Sequence, residues 1–428
     1  METKNVLIFP CGSEIGLEIN NALKYSKNIN IYGGSTVSDH GRFVYSNYVS
    51  IPSINDDDFI SSLNEVIKKF SIDYIFPAHD SVVLLMSLQA KKINAQIITS
   101  DSKTTDICRS KGKTYDFFKE EDFIPFVYKN VDEVNDFPVF LKPDVGQGSK
   151  GIALAGNQNQ LNYIYTNNDN MLILEYLPGK EFTIDCFTDR LGELRFVGMR
   201  ERRRIKSGIS VNSVNLLVDT RVRDIAEKIN NKLNFRGVWF FQLKEDNQGS
   251  LKLLEISPRI AGTMGLYRNK GVNLPLLSLF DRMNLDIDIV ENGYNIEIDR
   301  AFINRFSMDF EYQRVYLDFD DSITLNGKVN PYVMMYIYQC NAKGIEVILI
   351  TKHEKDINDT LNELKIDKQL FKNIIHLTKE SQKHLYIDKD IKSIFIDDSF
   401  SERKEVYREH NIPVFDIDAI ESLIDWRV

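Results

Sequence analysis

Two pairs of aspartates stand directly after short apolar runs near the carboxyl end of the chain. The first pair is Asp318 and Asp320, and the second is Asp397 and Asp398. If both runs are strands, Asp318 is placed to attack phosphorus while Asp320 protonates the leaving oxygen. Asp397 and Asp398 would complete a magnesium site, because magnesium takes carboxylate oxygens together with phosphate oxygens. The pattern predicts phosphoryl-transfer chemistry.

Two further side chains fit the same chemistry. Thr351 ends the apolar run between the two aspartate pairs, where its hydroxyl could hold a phosphate oxygen. Either Lys383 or Lys379 could stabilise the charge of the transferring group, and the sequence leaves both open. Acidic residues after strands are often only helix caps. Four such groups in order, each at a predicted strand end, favour a site.

A second set of chemical groups occupies the middle of the chain. Lys142 ends an apolar run and is followed by the glycine-rich loop 146–151, which includes Gly148 and Ser149. Glycine lets backbone amides turn toward an anion, and the lysine adds a point charge. A loop of this kind is often an ordinary hairpin turn, so its interpretation depends on its context.

That context suits a nucleotide. A buried strand ends at Glu175, and the backbones of Glu175 and Leu177 could read the edge of an adenine ring, with Glu181 on the ribose. Farther on, Gln242 and Glu255 fall on two predicted neighbouring strands, where they would lie side by side and could hold magnesium.

Arginines complete this middle set. Arg259 follows the Glu255 strand and could neutralise a transferred phosphoryl group. In the basic cluster 200–208, alternate residues Arg202 and Arg204 would face a carboxylate or acyl phosphate. The other interpretation of the cluster is a solvated strand and loop.

Composition narrows the class of protein. The chain has 428 residues, 43% of them hydrophobic, with a net charge of −9, so it fits two to four domains and does not suit a sequence-independent nucleic-acid binder. Its four cysteines are scattered, which predicts neither a disulfide framework nor a zinc site. No signal peptide or membrane span is recognisable, and we expect a cytoplasmic protein.

Periodicity predicts three domains. Residues 1–105 alternate strand and helix, as in a small parallel α/β sheet whose loops 11–16 and 77–81 face a ligand crevice. Residues 106–305 favour an antiparallel α+β domain with helices at 109–118 and 222–233. Residues 312–428 return to doubly wound α/β order, with strands predicted at 315–319, 347–351, 374–376, 394–397 and 414–415.

Residues 1–305 resemble the ATP-grasp superfamily in its carbamoyl-phosphate-synthase-like branch. The resemblance implies an ATP-dependent ligase that joins a small-molecule carboxylate to an amine through an acyl phosphate, with magnesium (or manganese) and a possible homodimer. Ser257 stands where that family has asparagine, and its hydroxyl can ligate magnesium. The family's order is matched by phosphate-binding Lys113 and Lys142, nucleotide-binding Glu175, Leu177 and Glu181, metal-binding Gln242 and Glu255, and Arg259.

Residues 312–428 resemble the haloacid dehalogenase superfamily of phosphohydrolases. The motif residues are Asp318, Asp320, Thr351, Lys383, Asp397 and Asp398. The intervals between them are too short for a cap domain, which in this family implies an open site and a large or tethered phosphorylated substrate. The leading hypothesis is therefore a bifunctional ligase and phosphohydrolase. The alternatives are a ligase with a non-catalytic C-terminal domain and a nucleotide-binding sensor.

Overall fold

The computed structural model describes residues 2–146 and 148–427, which form two compact units, 2–303 and 304–427. Gln147, within the glycine-rich loop, lies outside the described residues. None of the helices in the described part of the chain is long and apolar enough to span a bilayer.

The first unit opens with a five-stranded parallel sheet in the order β3-β2-β1-β4-β5. Val6 and Ile8 pack on one face with helix α1, and Leu7 and Phe9 pack on the other face with α2, which confirms the predicted arrangement of helices on both faces. The elements are β1 (Lys4–Phe9), α1 (Glu14–Leu23), β2 (Ile29–Ser35), β3 (Asn47–Ser50), α2 (Phe59–Phe70), β4 (Tyr74–Pro77), α3 (Asp80–Leu88) and β5 (Gln96–Ile97).

Two helices and a four-stranded antiparallel sheet, ordered β6-β9-β7-β8, come next. The helix predicted at 109–118 is confirmed as Lys111–Phe117; it begins only at Lys111, because the side chain of Ser110 accepts a hydrogen bond from Lys113 N and caps the helix. The predicted boundary after residue 105 falls inside a helix. The elements are α4 (Ser102–Arg109), α5 (Lys111–Phe117), β6 (Val127–Tyr128), β7 (Val139–Pro143), β8 (Ala153–Ala155), α6 (Gln158–Thr166) and β9 (Met171–Glu175).

A six-stranded antiparallel sheet, ordered β14-β13-β10-β11-β12-β15, completes the unit and confirms the predicted α+β texture. Alternate residues such as Trp239 and Phe241 pack against α7, which leaves the opposite face for polar groups. The elements are β10 (Glu181–Thr188), β11 (Leu194–Lys206), β12 (Ile209–Leu216), α7 (Thr220–Lys232), β13 (Gly237–Glu245), β14 (Leu251–Ser257), α8 (Gly265–Arg268), α9 (Leu274–Arg282) and β15 (Glu297–Asp299).

The second unit is a parallel sheet ordered β20-β19-β16-β21-β22, and all five of its strands lie where the sequence predicted them. Val315 and Leu317 pack on one face and Tyr316 on the other. The elements are β16 (Arg314–Leu317), a small hairpin of β17 (Thr324–Leu325) and β18 (Lys328–Val329), α10 (Pro331–Ala342), β19 (Glu346–Thr351), α11 (Ile357–Glu363), β20 (Asn373–His376), β21 (Ser393–Ile396), α12 (Phe400–His410), β22 (Val414–Phe415) and α13 (Ile420–Leu423).

Candidate active sites

In the second unit, a lysine joins two aspartates that follow neighbouring parallel strands. Lys383 Nζ lies 2.6 Å from Asp318 Oδ1, after β16, and 2.7 Å from Asp397 Oδ2, after β21. All three side chains are buried. Burial raises the pKa of Asp318, and the charge of Asp397 adds to that rise, while Lys383 opposes it. Two buried carboxylates against one ammonium leave a net negative charge that a further cation would offset.

The donor set of this cluster fits a magnesium ion. Asp318, Asp397 and Asp398 each bring a carboxylate oxygen within 4.8 Å of the other two. Hard oxygen ligands with one open side toward solvent suit magnesium, which usually retains several waters. Asp398 is exposed and supplies that open side.

Asp320 lies apart from these three carboxylates. Both of its carboxylate oxygens are 3.0 Å from His353 Nδ1, and its side chain is half exposed. The Asp320 carboxylate is not part of the group formed by the other three, and its predicted roles as a metal ligand and as an acid both stay predictions. His353 was not predicted, although it follows Thr351 by two residues, in a loop at the same sheet edge.

The two remaining predicted groups of this unit differ in position. Thr351 is fully buried at the end of β19, and its hydroxyl oxygen accepts a hydrogen bond from His353 N at 3.1 Å, which leaves the hydroxyl proton for another acceptor. Lys379 is exposed and pairs with Glu354 instead of the aspartates. Of the two lysines that the sequence left open, the structure brings Lys383 to the cluster.

The first unit contains two adjoining cavities of about 680 Å³ and 340 Å³. Loops 11–16 and 77–81 contribute Glu14 and Asp80 to the larger one, which confirms the predicted crevice. Both cavities are lined by the same shared wall, made of Lys111, Lys150, Arg202, Gln242, Glu255 and glycines that include Gly148 with Ser149.

The smaller cavity has the lining of a nucleotide pocket. Backbone and side chains of the β9 end, Glu175 through Leu177, form one wall, and the Glu175 carboxylate accepts a hydrogen bond from Phe126 N at 2.8 Å. This bond fixes the turn that exposes the strand's last polar groups. Apolar surface comes from Pro125, Phe140, Ile152, Leu174 and Leu254.

Lys142 lies buried on β7 at the wall of the smaller cavity. Its Nζ donates to Tyr115 Oη at 2.6 Å and to the Leu254 carbonyl at 3.0 Å. Burial, together with the nearby Lys111 cation, lowers the pKa of Lys142 to about 7, although Glu255 and Glu181 act in the opposite direction. The Lys142 side chain is therefore only about half protonated near neutral pH.

Lys111, rather than Lys113, carries the other lysine charge into the cavities. Lys113 Nζ is 2.7 Å from Asp106, more than half exposed, and lines neither cavity. The position of Lys111 is set by hydrogen bonds at the start of α5. Ser110 Oγ and Gly112 N both donate to the Asp144 carboxylate, at 2.8 and 2.7 Å. Those bonds hold the first residue of the helix beside the glycine-rich loop.

Gln242 and Glu255 stand directly opposite each other on the antiparallel pair β13–β14. Directly paired residues share a face, so the predicted side-by-side arrangement is confirmed. Both line the two cavities. A carboxylate and an amide oxygen on one face make a donor set that fits magnesium, provided phosphate or water supplies the remaining ligands.

Ser257 and Arg259 both contact Asp80, from the loop after β4. Arg259 Nε and Nη2 lie 2.6 and 2.8 Å from the two Asp80 oxygens, and Ser257 Oγ donates to Asp80 Oδ1 at 2.9 Å. Because Ser257 uses its hydroxyl proton in this bond, the lone pairs of its oxygen stay available for the predicted role as a metal ligand. Asp80 was not predicted, although it belongs to the loop assigned to the crevice.

Two arginines of β11 have different surroundings. Arg202 is buried in the shared wall, with Nη1 3.0 Å from Glu181 and Nη2 donating to the Gly208 carbonyl. Arg204 pairs with Asp299 at 2.7 Å, is more than half exposed and lines neither cavity, so the structure does not bring it to Arg202, and its contact with substrate stays a prediction. A bulge between the two arginines shifts the register and ends the strict alternation.

Residues 167–300 match the family model described as ATP-grasp in the biosynthetic pathway with Ter operon. The arginine-specific large chain of carbamoyl phosphate synthase from Bacillus subtilis is 31% identical over 160 residues, which are 34% of this chain and 15% of that one. The chain thus spans a small part of that relative.

The chain contains an ATP-grasp domain. Solved structures agree with this fold. The biotin carboxylase domain of Hydrogenobacter thermophilus 2-oxoglutarate carboxylase, a dimer in complex with MgADP, ADP and bicarbonate, gives a TM-score of 0.57 at 16% identity, over 69% of this chain and 74% of that one. The L-amino acid ligase of Bacillus licheniformis gives 0.54 at 15% identity, over 65% and 74%.

Several residues of the ATP-grasp domain's larger cavity escaped the sequence prediction. Arg300 lies just after β15, Arg109 ends α4 and Glu14 begins α1, and all three line the cavity. The arginines belong to no motif that the sequence analysis recognised: Arg109 lies between Cys108 and Ser110, and Arg300 follows Asp299. Glu14 alone had a signal, because it lies in the loop expected to face the crevice.

Proposed function

We propose that the ATP-grasp domain is an ATP-dependent ligase that activates a carboxylate as an acyl phosphate and joins it to an amine. One observation carries this proposal: Lys142 lines the smaller of two adjoining cavities, and Gln242 and Glu255 belong to the wall that both cavities share. Such a pair of cavities suits a nucleotide on one side and the reacting small molecules on the other.

In this proposal the smaller cavity holds the nucleotide. The adenine contacts the apolar wall and the backbone of Glu175 and Leu177, while Glu181 faces the ribose. Lys142, Lys111 and the amides near Gly148 and Ser149 bind the phosphates, where backbone amides and cations favour anions. The structurally similar biotin carboxylase domain is in complex with MgADP, which supports a nucleotide as the ligand here.

Gln242 and Glu255 would hold magnesium, with Ser257 as a further oxygen donor. When bound, the ion would supply charge neutralisation to the phosphate oxygens. Arg259 adds a fixed positive charge beside this position, and Asp80 orients its guanidinium by a two-point contact. These groups are set before the reaction, so they need little rearrangement as charge develops.

The proposed ligation takes two steps. An oxygen of the substrate carboxylate attacks the γ-phosphorus of ATP, the bond from that phosphorus to the bridging oxygen breaks, and ADP leaves. The amine nitrogen then attacks the acyl carbon, the bond from carbon to the phosphate oxygen breaks, and phosphate leaves with the electron pair while the amine proton passes to solvent. Arg202 and Arg259 would stabilise the anions at both steps.

Hydroxylamine tests the first step without the natural amine. We expect the wild type, with MgATP, pools of carboxylic acids and hydroxylamine, to release ADP and form an equal amount of hydroxamate. Lys142→Ala should lose both by at least a hundredfold, while Lys129→Ala, an exposed lysine outside both cavities, should keep them. Tight ATP binding without hydroxamate from any pool would favour the nucleotide-sensor alternative instead.

We further infer that the second unit is a magnesium-dependent phosphohydrolase of the haloacid dehalogenase type. The observation that favours it is Lys383 held between Asp318 and Asp397 at the carboxyl ends of adjacent parallel strands. Asp318 would attack phosphorus, and the leaving oxygen would take its proton from Asp320. Water then attacks the phosphorus of the aspartyl phosphate, the bond from phosphorus to the Asp318 oxygen breaks, and phosphate leaves.

The other groups of the cluster would stabilise the transferring phosphoryl group. Lys383 and the Thr351 hydroxyl contact its oxygens, and Asp318, Asp397 and Asp398 would hold magnesium, whose charge would offset the repulsion between two anions. Between Asp320 and Thr351 the described chain has only the β17–β18 hairpin and α10, so no cap covers the site from that segment. An open site of this kind suits a large phosphorylated substrate.

Acetyl phosphate and p-nitrophenyl phosphate test the second activity. The expected result is magnesium-dependent phosphate release that Asp318→Asn abolishes while hydroxamate formation by the same variant continues. If the wild type hydrolyses neither acetyl phosphate nor p-nitrophenyl phosphate, nor any member of a library of sugar phosphates, the C-terminal unit is a non-catalytic domain of the ligase.

A further inference from the structure

At the end of the larger cavity a carboxylate and a guanidinium meet beside a glycine. A methyl group built on Gly262 would lie 2.9 Å from Glu14 Cγ and 3.1 Å from Arg300 Nη1. Both side chains therefore reach the same point, and any larger residue at position 262 would displace them. Glu14, Gly262 and Arg300 all line the cavity.

These two charges lack the tight pairing of Arg259 and Arg200, which line the same cavity. Arg259 is neutralised by Asp80, and Arg200 by Asp185, each through two contacts. Within the described residues, by contrast, the Glu14 carboxylate has neither a salt bridge nor a hydrogen bond.

Arg300 is almost as open to a ligand. Among the described residues its side chain makes a single long hydrogen bond, from Nη1 to the Ser210 carbonyl at 3.4 Å. Both Glu14 and Arg300 are only half buried. Charged groups that line a cavity without a tight partner are available to bind a ligand of opposite charge.

Glu14 acts electrostatically on Arg259 as well as on Arg300. Burial works to lower the pKa of Arg259, but the carboxylates of Asp80, Glu255 and Glu14 raise it. Burial lowers the pKa of Arg300, and the opposing charges there are Glu14 and Glu18. The Glu14 carboxylate is therefore near enough to influence both guanidinium groups.

We propose that the amine substrate of the ligase is a zwitterionic α-amino acid, whose ammonium group binds Glu14 and whose carboxylate binds Arg300. The inference rests on the proposed ligase function and names the class of its second substrate. Glu14, whose charge also acts on Arg259, would hold the nitrogen that attacks the proposed acyl phosphate. The amino acid's own carboxylate, bound to Arg300, is then not the group that is activated.

The same arrangement excludes two classes of amine. Ammonia and simple alkylamines have no group for Arg300, so they leave its guanidinium without a counter-charge. An amino acid α-amide lacks the two anionic oxygens that a guanidinium binds in a fork. We expect both classes to bind at least tenfold more weakly than the amino acid.

The test compares KM values for ADP release with MgATP and the carboxylate pool, using L-amino acids, their α-amides, and ethylamine as the second substrate. Arg300→Met should raise the KM for the amino acid at least tenfold and leave that for the α-amide within threefold. Glu14→Gln should raise both. Arg203→Gln and Glu65→Gln, which lie outside both cavities, serve as matched controls and should change neither.

Hydroxamate formation needs no amino acid, so it distinguishes a failure of the amino acid subsite from a failure of the proposed ligase function. Normal hydroxamate in Arg300→Met and Glu14→Gln, with the KM changes above, supports the subsite. Equal use of ethylamine and amino acids by the wild type, or unchanged KM values in both variants, overturns the subsite but leaves the ligase. Loss of hydroxamate in both variants would assign the pair to the activated carboxylate, and absence of hydroxamate in the wild type would remove both proposals.

Discussion

Arg259 and Asp80 form a two-point ion pair that joins the ATP-grasp sheet to the N-terminal parallel sheet. Arg259 follows β14, Asp80 begins α3, and the distances are 2.6 and 2.8 Å. Both are largely buried. The pair fixes the guanidinium beside Glu255, and it makes the N-terminal sheet part of the candidate site rather than an appendage.

Asp80→Asn should reduce both stability and activity. The substitution removes the negative charge that the buried Arg259 guanidinium pairs with. This loss should lower the free energy of unfolding by about 2 kcal/mol after allowance for partial exposure. Burial works to raise the pKa of Asp80, but Arg259, Ser257 and Arg109 hold it well below its ordinary value. A depressed carboxyl pKa stabilises the fold above about pH 4 and loses that contribution below it.

Urea unfolding at several pH values checks this prediction. The gap between the wild type and Asp80→Asn should be full at pH 7 and close as the pH falls below about 4. Asp106→Asn, which removes an exposed pair with Lys113, is the control and should cost less than 1 kcal/mol. A gap that does not vary with pH would contradict the assigned role of the charge.

Lys111 and Lys113 should behave differently toward ATP. Lys111→Ala removes a cation from the shared wall and should weaken ATP binding about tenfold, since a charged contact to phosphate is worth roughly 1.5 kcal/mol. Lys113→Ala loses only an exposed ion pair and should bind ATP normally. Calorimetric titration with a non-hydrolysable ATP analogue measures the affinity of both variants. Weaker binding by Lys113→Ala than by Lys111→Ala would instead assign phosphate binding to Lys113.

Nucleotide binding should be linked to proton uptake by Lys142. Burial lowers the pKa of this lysine to about 7, so at pH 8 the ligand-free side chain is mostly neutral. Phosphate anions favour the ammonium form, so binding takes up a proton and weakens as the pH rises above 7. Titration at pH 8 in buffers of different ionisation enthalpy measures the uptake.

The control for this linkage is Lys142→Met, which keeps the bulk and removes the titrating group. We expect it to bind the analogue weakly, with little proton uptake and a flatter dependence on pH. An uptake equal to that of the wild type would assign the proton to another group.

Lys383→Met and Lys379→Met should separate the two lysines of the C-terminal unit. The first leaves Asp318 and Asp397 buried without their shared cation and should lower phosphatase activity by at least a hundredfold. The second removes an exposed contact with Glu354 and should change activity less than threefold. Hydrolysis of p-nitrophenyl phosphate, with circular dichroism to check folding, compares them.

Much of the fold follows from local patterns in the chain. The strands of the C-terminal sheet were predictable because apolar runs bounded by polar residues mark buried parallel strands. That the strands of Gln242 and Glu255 are neighbours was predictable as well, but their direct pairing depends on a bulge that shifts the register between Gln242 and Leu243.

Features that depend on distant contacts were not predictable. The break at Ser110 depends on Asp144, far along the chain, and it decides whether Lys111 or Lys113 enters the cavities. A bulge in β11 turned Arg204 away from the face that alternation assigned to it. Single charges such as Asp80 and Arg300 acquire a role only when sheets from separate segments meet.

Substrate-dependent ADP release tests the central claim most directly. The wild type, Lys142→Ala and Asp318→Asn would be assayed with MgATP across paired pools of carboxylates and amino acids, with the amide product identified by mass. The ligase account predicts ADP from particular pairs only, lost in Lys142→Ala and retained in Asp318→Asn. ATP bound tightly by the wild type, with no pair raising ADP above the level without substrate, would contradict it.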